Sequence, residues 1–292
     1  MPSVPTVTGF LLLGFSVVRE LQLVHAALFL LVYLAVPMVN LLIVVVTTPD
    51  GRLHIPMYFF LRNLSLIELC LISVTLPKSV TISLTNDSSI PFLDYVAQLL
   101  LVILFAASEY FVLTAMSYDR YAAIGCPLHY EVIKDQGACE KMAAASCHSR
   151  GLFGVLFSAS TFSLSFCRSS IVQQSFCDAS SLLKITCSED HVAIDVSVTV
   201  GIALGVGCFF SIVVSYTRIF WAVLRMLAAE GRDKAFFTCL AHLAIVIIVI
   251  LTAVTAHLKP PTDSSWMPNL LVSVLYAVVP PALNPFIYSP RS

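Results

Sequence analysis

Seven runs of predominantly apolar residues decide what this chain can fold into; they occupy approximately 23–48, 57–78, 95–124, 142–166, 192–221, 235–258 and 267–289. A helix needs about 20 such residues to cross a hydrocarbon layer about 30 Å thick. Within that layer every backbone N–H and C=O must be satisfied inside the segment. The runs are too long, and alternate too little, for the strands of a β-barrel. Nor can the chain present a polar surface on all sides. Of its 292 residues 58% are hydrophobic and 11% charged, where a soluble domain carries about a quarter charged residues. The sequence predicts an all-α membrane protein, one seven-transmembrane helix bundle over 1–292. A net charge of −1 gives no electrostatic footing for nucleic acid.

The basic residues set the expected orientation. With the N-terminus outside, the inner loops and helix ends hold Arg52, Arg62, Arg120, Lys134, Lys141, Arg218, Arg225, Arg232, Lys234 and Arg291. The outer side then holds only Arg19, Lys78, Arg168, Lys184 and Lys259. The C-terminus is accordingly expected in the cytoplasm. The stretch "FLLLGF" is short, lacks a basic flank and has no small-residue cleavage site after it, so the first span is expected to serve as its own insertion signal. Connections are short except for 163–191 on the outer face, which contains Cys167, Cys177 and Cys187. A loop of that length is usually functional or a cover, and its outward position permits disulfides. Three cysteines cannot all pair among themselves.

Charges and amides inside the spans are the candidates for chemistry, because a charged side chain at the bilayer centre costs about 2.5–3.5 kcal/mol on insertion scales. Asn40, Glu68, Glu109 and Asn284 all fall within apolar runs and are candidates for one hydrated interior cluster; separate interhelical hydrogen bonds are the plainer alternative. Arg150, within the fourth run, reads as a liability more than a site. Asp119 and Arg120 close the third run. Tyr95 to Arg120 measures roughly 37 Å as a helix, which puts Arg120 at the inner interface. Spacing alone leaves open whether that pair only marks a boundary. No HExxH-like metal site, paired catalytic carboxylates or supported Ser/His/Asp arrangement occurs, so neither an enzyme nor a metal site is expected. His242 and His257 are too far apart on one helix to share a metal. Seven spans without an internal repeat do not suggest a transporter.

Five stretches carry a resemblance. "MSYDRYAAIGCPLHY" (116–130) is similar to the signature of olfactory receptors within the rhodopsin-like G-protein-coupled receptors. "FLLLGFS" (10–16), "LHIPMYFFLRNLSLIELC" (53–70), "KAFFTCLAHL" (234–243) and "PALNPFIYSPRS" (281–292) resemble the family's other motifs in the right order. The resemblance implies a rhodopsin-like bundle in the plasma membrane, in olfactory cilia, surrounded by lipid and without a cofactor. It implies an activation switch made of Asp119, Arg120 and Tyr121 with Asn284, Pro285 and Tyr288. Release of Arg120 as the sixth helix swings outward would admit a heterotrimeric G protein, usually the olfactory stimulatory type that raises cyclic AMP. Asn40, Glu68 and Asn284 fall at positions of the family's interior polar cluster. The ligand site is expected in the outer half, lined by Val102, Ile103, Ala106, Ala107 and Tyr110 of the third helix with Gly205, Ile250, Thr252 and Ala277; any of these is equally readable as a helix contact. The 96–108 stretch lacks the acid of amine receptors, and no lysine follows Lys259 to hold a retinal Schiff base. A small neutral odorant fits what remains.

The chain also departs from the pattern. Where the family has "FLGC", this sequence reads "FLDY" (92–95), so Tyr95 replaces a cysteine and Cys177 loses its usual partner. The resemblance leaves Cys167 and Cys187 to pair with each other. Cys147 replaces a tryptophan near Arg150, Val39 replaces a glycine, Pro290 replaces a leucine, and the N-terminal glycosylation sequon is missing. These changes support a second expectation: a decayed receptor that traffics poorly or does not signal, in which Tyr95→Cys would raise surface expression.

Overall fold

The computed structural model describes residues 9–12, 19–47, 56–85, 89–125, 151, 153–163, 171–172, 192–225, 236, 239–240 and 242–251. In chain order they form β1 (Gly9–Leu12), α1 (Arg19–Thr47), α2 (Pro56–Thr85), β2 (Ser89–Pro91), α3 (Phe92–Gly125), α4 (Phe153–Phe162), β3 (Ile171–Val172), α5 (Val192–Leu224) and α6 (His242–Leu251). Among the described residues α1, α2, α3 and α5 are long and apolar enough to cross a membrane. The expected fourth and sixth spans are described only in part, and the seventh lies outside the described residues.

Each helix shows how apolar runs become specific packing. On α1 the buried positions are Gln22, Ala26, Phe29, Val36 and Asn40, a single stripe at steps of three, four and seven on a 3.6-residue repeat. Leu28, Leu31, Leu34, Met38 and Leu42 face outward, a face that suits lipid. α2 runs on to Thr85, past the expected span end at 78. Its buried face is broad and includes Ser65, Glu68, Thr75, Ser79 and Ser83. The hydroxyls of Thr75, Ser79 and Ser83 each donate to the carbonyl four residues back, at 2.9, 3.4 and 2.9 Å. That bonding lets them sit in an apolar setting. Pro77 removes one backbone donor from the same helix. Beside the interrupted turn, Gln98 Nε2 of α3 donates to the carbonyl of Val74 at 2.9 Å.

The ends of α1 and α2 are tied by charge. Arg19 donates to the Leu84 carbonyl at 2.8 Å and the Ser83 carbonyl at 3.5 Å. These are C-terminal carbonyls with no partner in their own helix, and a cation there also complements the helix dipole. Lys78 Nζ donates to the Ser89 carbonyl at 2.6 Å. β1 then lies between two strands, antiparallel to β2 (Phe10 opposite Ile90) and parallel to β3 (Leu11 opposite Ile171). No sequence reading had placed a sheet here.

The residues divide into two compact units. The first comprises 1–35, 70–106 and 150–202, with a core of Phe10, Ile82, Ile90, Tyr95, Leu99 and Ile194. Here α4 and α5 also share a hydrogen bond between Ser160 and Ser197 at 3.0 Å. The second comprises 36–69, 107–149 and 203–292. Its core gathers Phe60 and Leu64 of α2, Leu113 and Met116 of α3, Ile212 of α5, and Ile245 and Val246 of α6.

Candidate functional site

Within the second unit, the last turns of α3 meet α5 and α6. Asp119 is buried and Arg120 half-buried beside it. The apolar neighbours that hold this end together are Ile219, Val223 and Cys239, with Tyr121, Ile124 and Tyr216 packed against them. Polar contacts also cross between the helices. Arg218 Nη1 on α5 donates to Tyr121 Oη on α3 at 3.2 Å, and its guanidinium stands 5.6 Å from the Tyr121 ring centre. Tyr216 Oη on α5 hydrogen-bonds His242 Nδ1 on α6, with the two rings stacked at 5.7 Å and 26°.

His242 has no exposed surface and lies against the backbone of Leu113, while the charge of Arg120 is close enough to act on both His242 and Tyr216. The hydrogen bond satisfies a histidine nitrogen that the apolar helix contact keeps from water, and losing it there costs free energy. Sequence reasoning named Asp119, Arg120 and Tyr121 but assigned no role to Tyr216, Arg218 or His242. The signal for His242 was present, as a histidine within the sixth apolar run, though its partner could not be read from the chain. Asn284, Pro285 and Tyr288 lie outside the described residues.

The interior polar candidates Asn40, Glu68 and Glu109 come from α1, α2 and α3, belong to this same unit, and are all buried. Asn40 Nδ2 donates to the Val36 carbonyl of its own helix at 3.2 Å. Glu109 Oε1 has no hydrogen-bond partner among the described residues. No group of three or more His, Cys, Asp or Glu side chains suited to a metal ion occurs among the described residues.

The expected ligand-site residues divide between the units. Val102, Ile103 and Ala106 fall in the first, and Ala107, Tyr110, Gly205 and Ile250 in the second. All are half-buried. Ile103 packs on the first core, and Tyr110 and Ile250 on the second. At Gly205 no atom of another described segment approaches within 4 Å of where a side chain would begin. Thr252, Ala277, Cys167, Cys177 and Cys187 lie outside the described residues. Tyr95 is described, and it is fully buried.

The family model described as olfactory receptor matches residues 29–292. Olfactory receptor 14A2 of Homo sapiens is 49% identical over 292 residues, covering 100% of this chain and 93% of its own length. Olfactory receptor 14K1 of Homo sapiens is 49% identical over 279 residues, covering 96% and 89%. Among solved structures, squid rhodopsin matches with a TM-score of 0.67 at 15% identity, covering 94% of this chain and 78% of its own. That likeness gives the fold, an all-α, rhodopsin-like seven-helix membrane bundle. With a family match over most of its length and two full-length relatives at 49% identity, the chain belongs to the olfactory receptor family, a family of multi-pass membrane receptors and not of enzymes.

Proposed function

We propose that this receptor takes up small, mostly apolar volatile ligands in the outer half of its bundle and thereby opens its cytoplasmic end to a heterotrimeric G protein of the olfactory stimulatory type, raising cyclic AMP. The observation that carries this reading is the buried Tyr216–His242 contact between α5 and α6, set within reach of the Arg120 charge. It is a built latch at the place where a sixth helix has to part from the third and fifth. An agonist drives such a latch only by binding its open state better than its closed one. The ligand-facing residues are Val102, Ile103, Ala106, Ala107, Tyr110, Gly205, Ile250, Thr252 and Ala277, and the switch extends through Asn284, Pro285 and Tyr288. The N-terminus lies outside, and the receptor works in the plasma membrane of olfactory cilia. Its exposed apolar side chains, such as Ile202, Phe210 and Trp221 on α5, are solvated by lipid.

The test is a cyclic AMP screen of transfected cells against an odorant panel, with Arg120→Ala displayed at the same surface level as the control. An odorant response that Arg120→Ala abolishes is the expected result. A receptor that reaches the surface and answers no odorant, or one whose response survives Arg120→Ala, overturns the reading.

A further inference from the structure

Tyr95 stands where the family has a cysteine, yet its side chain is no loose replacement, for its exposure is 0%. The side chains that cover it come from separate parts of the first unit. The ring of Phe10, on β1, is centred 4.8 Å from that of Tyr95 and tilted by 53°. Phe162 of α4 meets Tyr95 edge-on at 6.3 Å. Phe92 closes the group, 6.0 Å from Phe10 and 5.4 Å from Phe162. Phe10 itself is 1% exposed, although it belongs to a four-residue strand near the start of the chain.

The backbone is seated as firmly as the ring. β1 is hydrogen-bonded on both sides, to β2 and to β3. At Gly9 the strands come so close that an added Cβ would stand 2.8 Å from the carbonyl oxygen of Ile90. Only glycine fits there, because the obstacle is backbone and cannot rotate away.

A disulfide and a buried aromatic pair hold chain segments together by different means. The first restricts the unfolded chain. The second removes apolar area from water and adds ring-to-ring contact in the folded state. We propose that the amino-terminal strand is a non-covalent clamp, Phe10 locked over Tyr95, that holds this end of the first unit closed in place of the bridge that Tyr95 precludes. Residue 95 is then an anchor instead of a lesion. Cysteine at this position would leave a void where the phenol ring was, because the surrounding core collapses only partly onto a smaller side chain.

The full-length receptor, tagged at its C-terminus, tests this through its surface fraction in cells and its melting temperature after detergent extraction. Phe10→Ala, Gly9→Val and Tyr95→Cys are each expected to lower the surface fraction roughly threefold or more, as core cavities and backbone clashes do. Tyr95→Phe, which keeps the ring, is expected to lose less than Tyr95→Cys. Since Phe10→Ala and Tyr95→Ala remove one shared contact, the double variant should lose less melting temperature than the two singles add up to. If alanine at these sites abolishes extraction, Phe10→Leu and Tyr95→Leu give the same coupling at smaller loss. Surface display of Tyr95→Cys at or above the parent level overturns the clamp, and so do losses at positions 10 and 95 that simply add.

Discussion

At the scale of single residues, the informative positions are polar groups that the fold has enclosed. His242 has no exposed surface and shares a hydrogen bond with Tyr216, so its removal reports what that contact restrains. A hydrogen bond of this kind contributes about 1 kcal/mol net, which is about fivefold in a two-state equilibrium. His242→Leu is therefore expected to raise ligand-free cyclic AMP by about fivefold relative to surface level, and an unchanged basal signal would show that the contact restrains nothing. Asp119, Arg120 and Tyr121 could be named from the sequence as switch candidates because their motif is local. His242 was legible as a histidine in an apolar run, but its role was not, since that role depends on a tyrosine from a different helix.

At the scale of elements, the helices were read from hydropathy and their fastenings were not. α2 and α3 are joined where Pro77 breaks the backbone ladder and Gln98 supplies a side-chain donor to Val74. Gln98 is mostly buried, so Gln98→Leu should cost about 1 kcal/mol by removing that hydrogen bond between the helices. The loss should appear as a lower melting temperature in detergent, with Gln98→Glu worse still, since a buried carboxylate cannot donate to a carbonyl. Equal stability of Gln98→Leu and the parent would mean that the Val74 carbonyl finds another partner. The small sheet escaped the sequence entirely. Strands of two to four residues are too short for a period-two pattern to stand out, and β1 exists only because two distant segments flank it.

At the scale of the whole molecule, burial separates helices that hydropathy ranks alike. Half of the apolar window of α2 is buried, against 17% for α1 and 11% for α5, so α1 and α5 turn most of their surface outward and α2 does not. With an outside N-terminus, a tag at the amino end should stain on intact cells and a tag at the carboxyl end only after permeabilisation; the reverse pattern would invert the receptor. The sequence by itself determined that this is an all-α membrane protein of the olfactory receptor family, because hydropathy adds up along a chain and motifs are local strings. Tertiary structure decided which residues meet. It set Tyr216 against His242 and Phe10 over Tyr95, and turned an apparent loss at residue 95 into a packed core position. The reason is physical: whether a buried side chain is a defect or an anchor depends on what fills the space around it, and those neighbours come from segments that no local pattern connects.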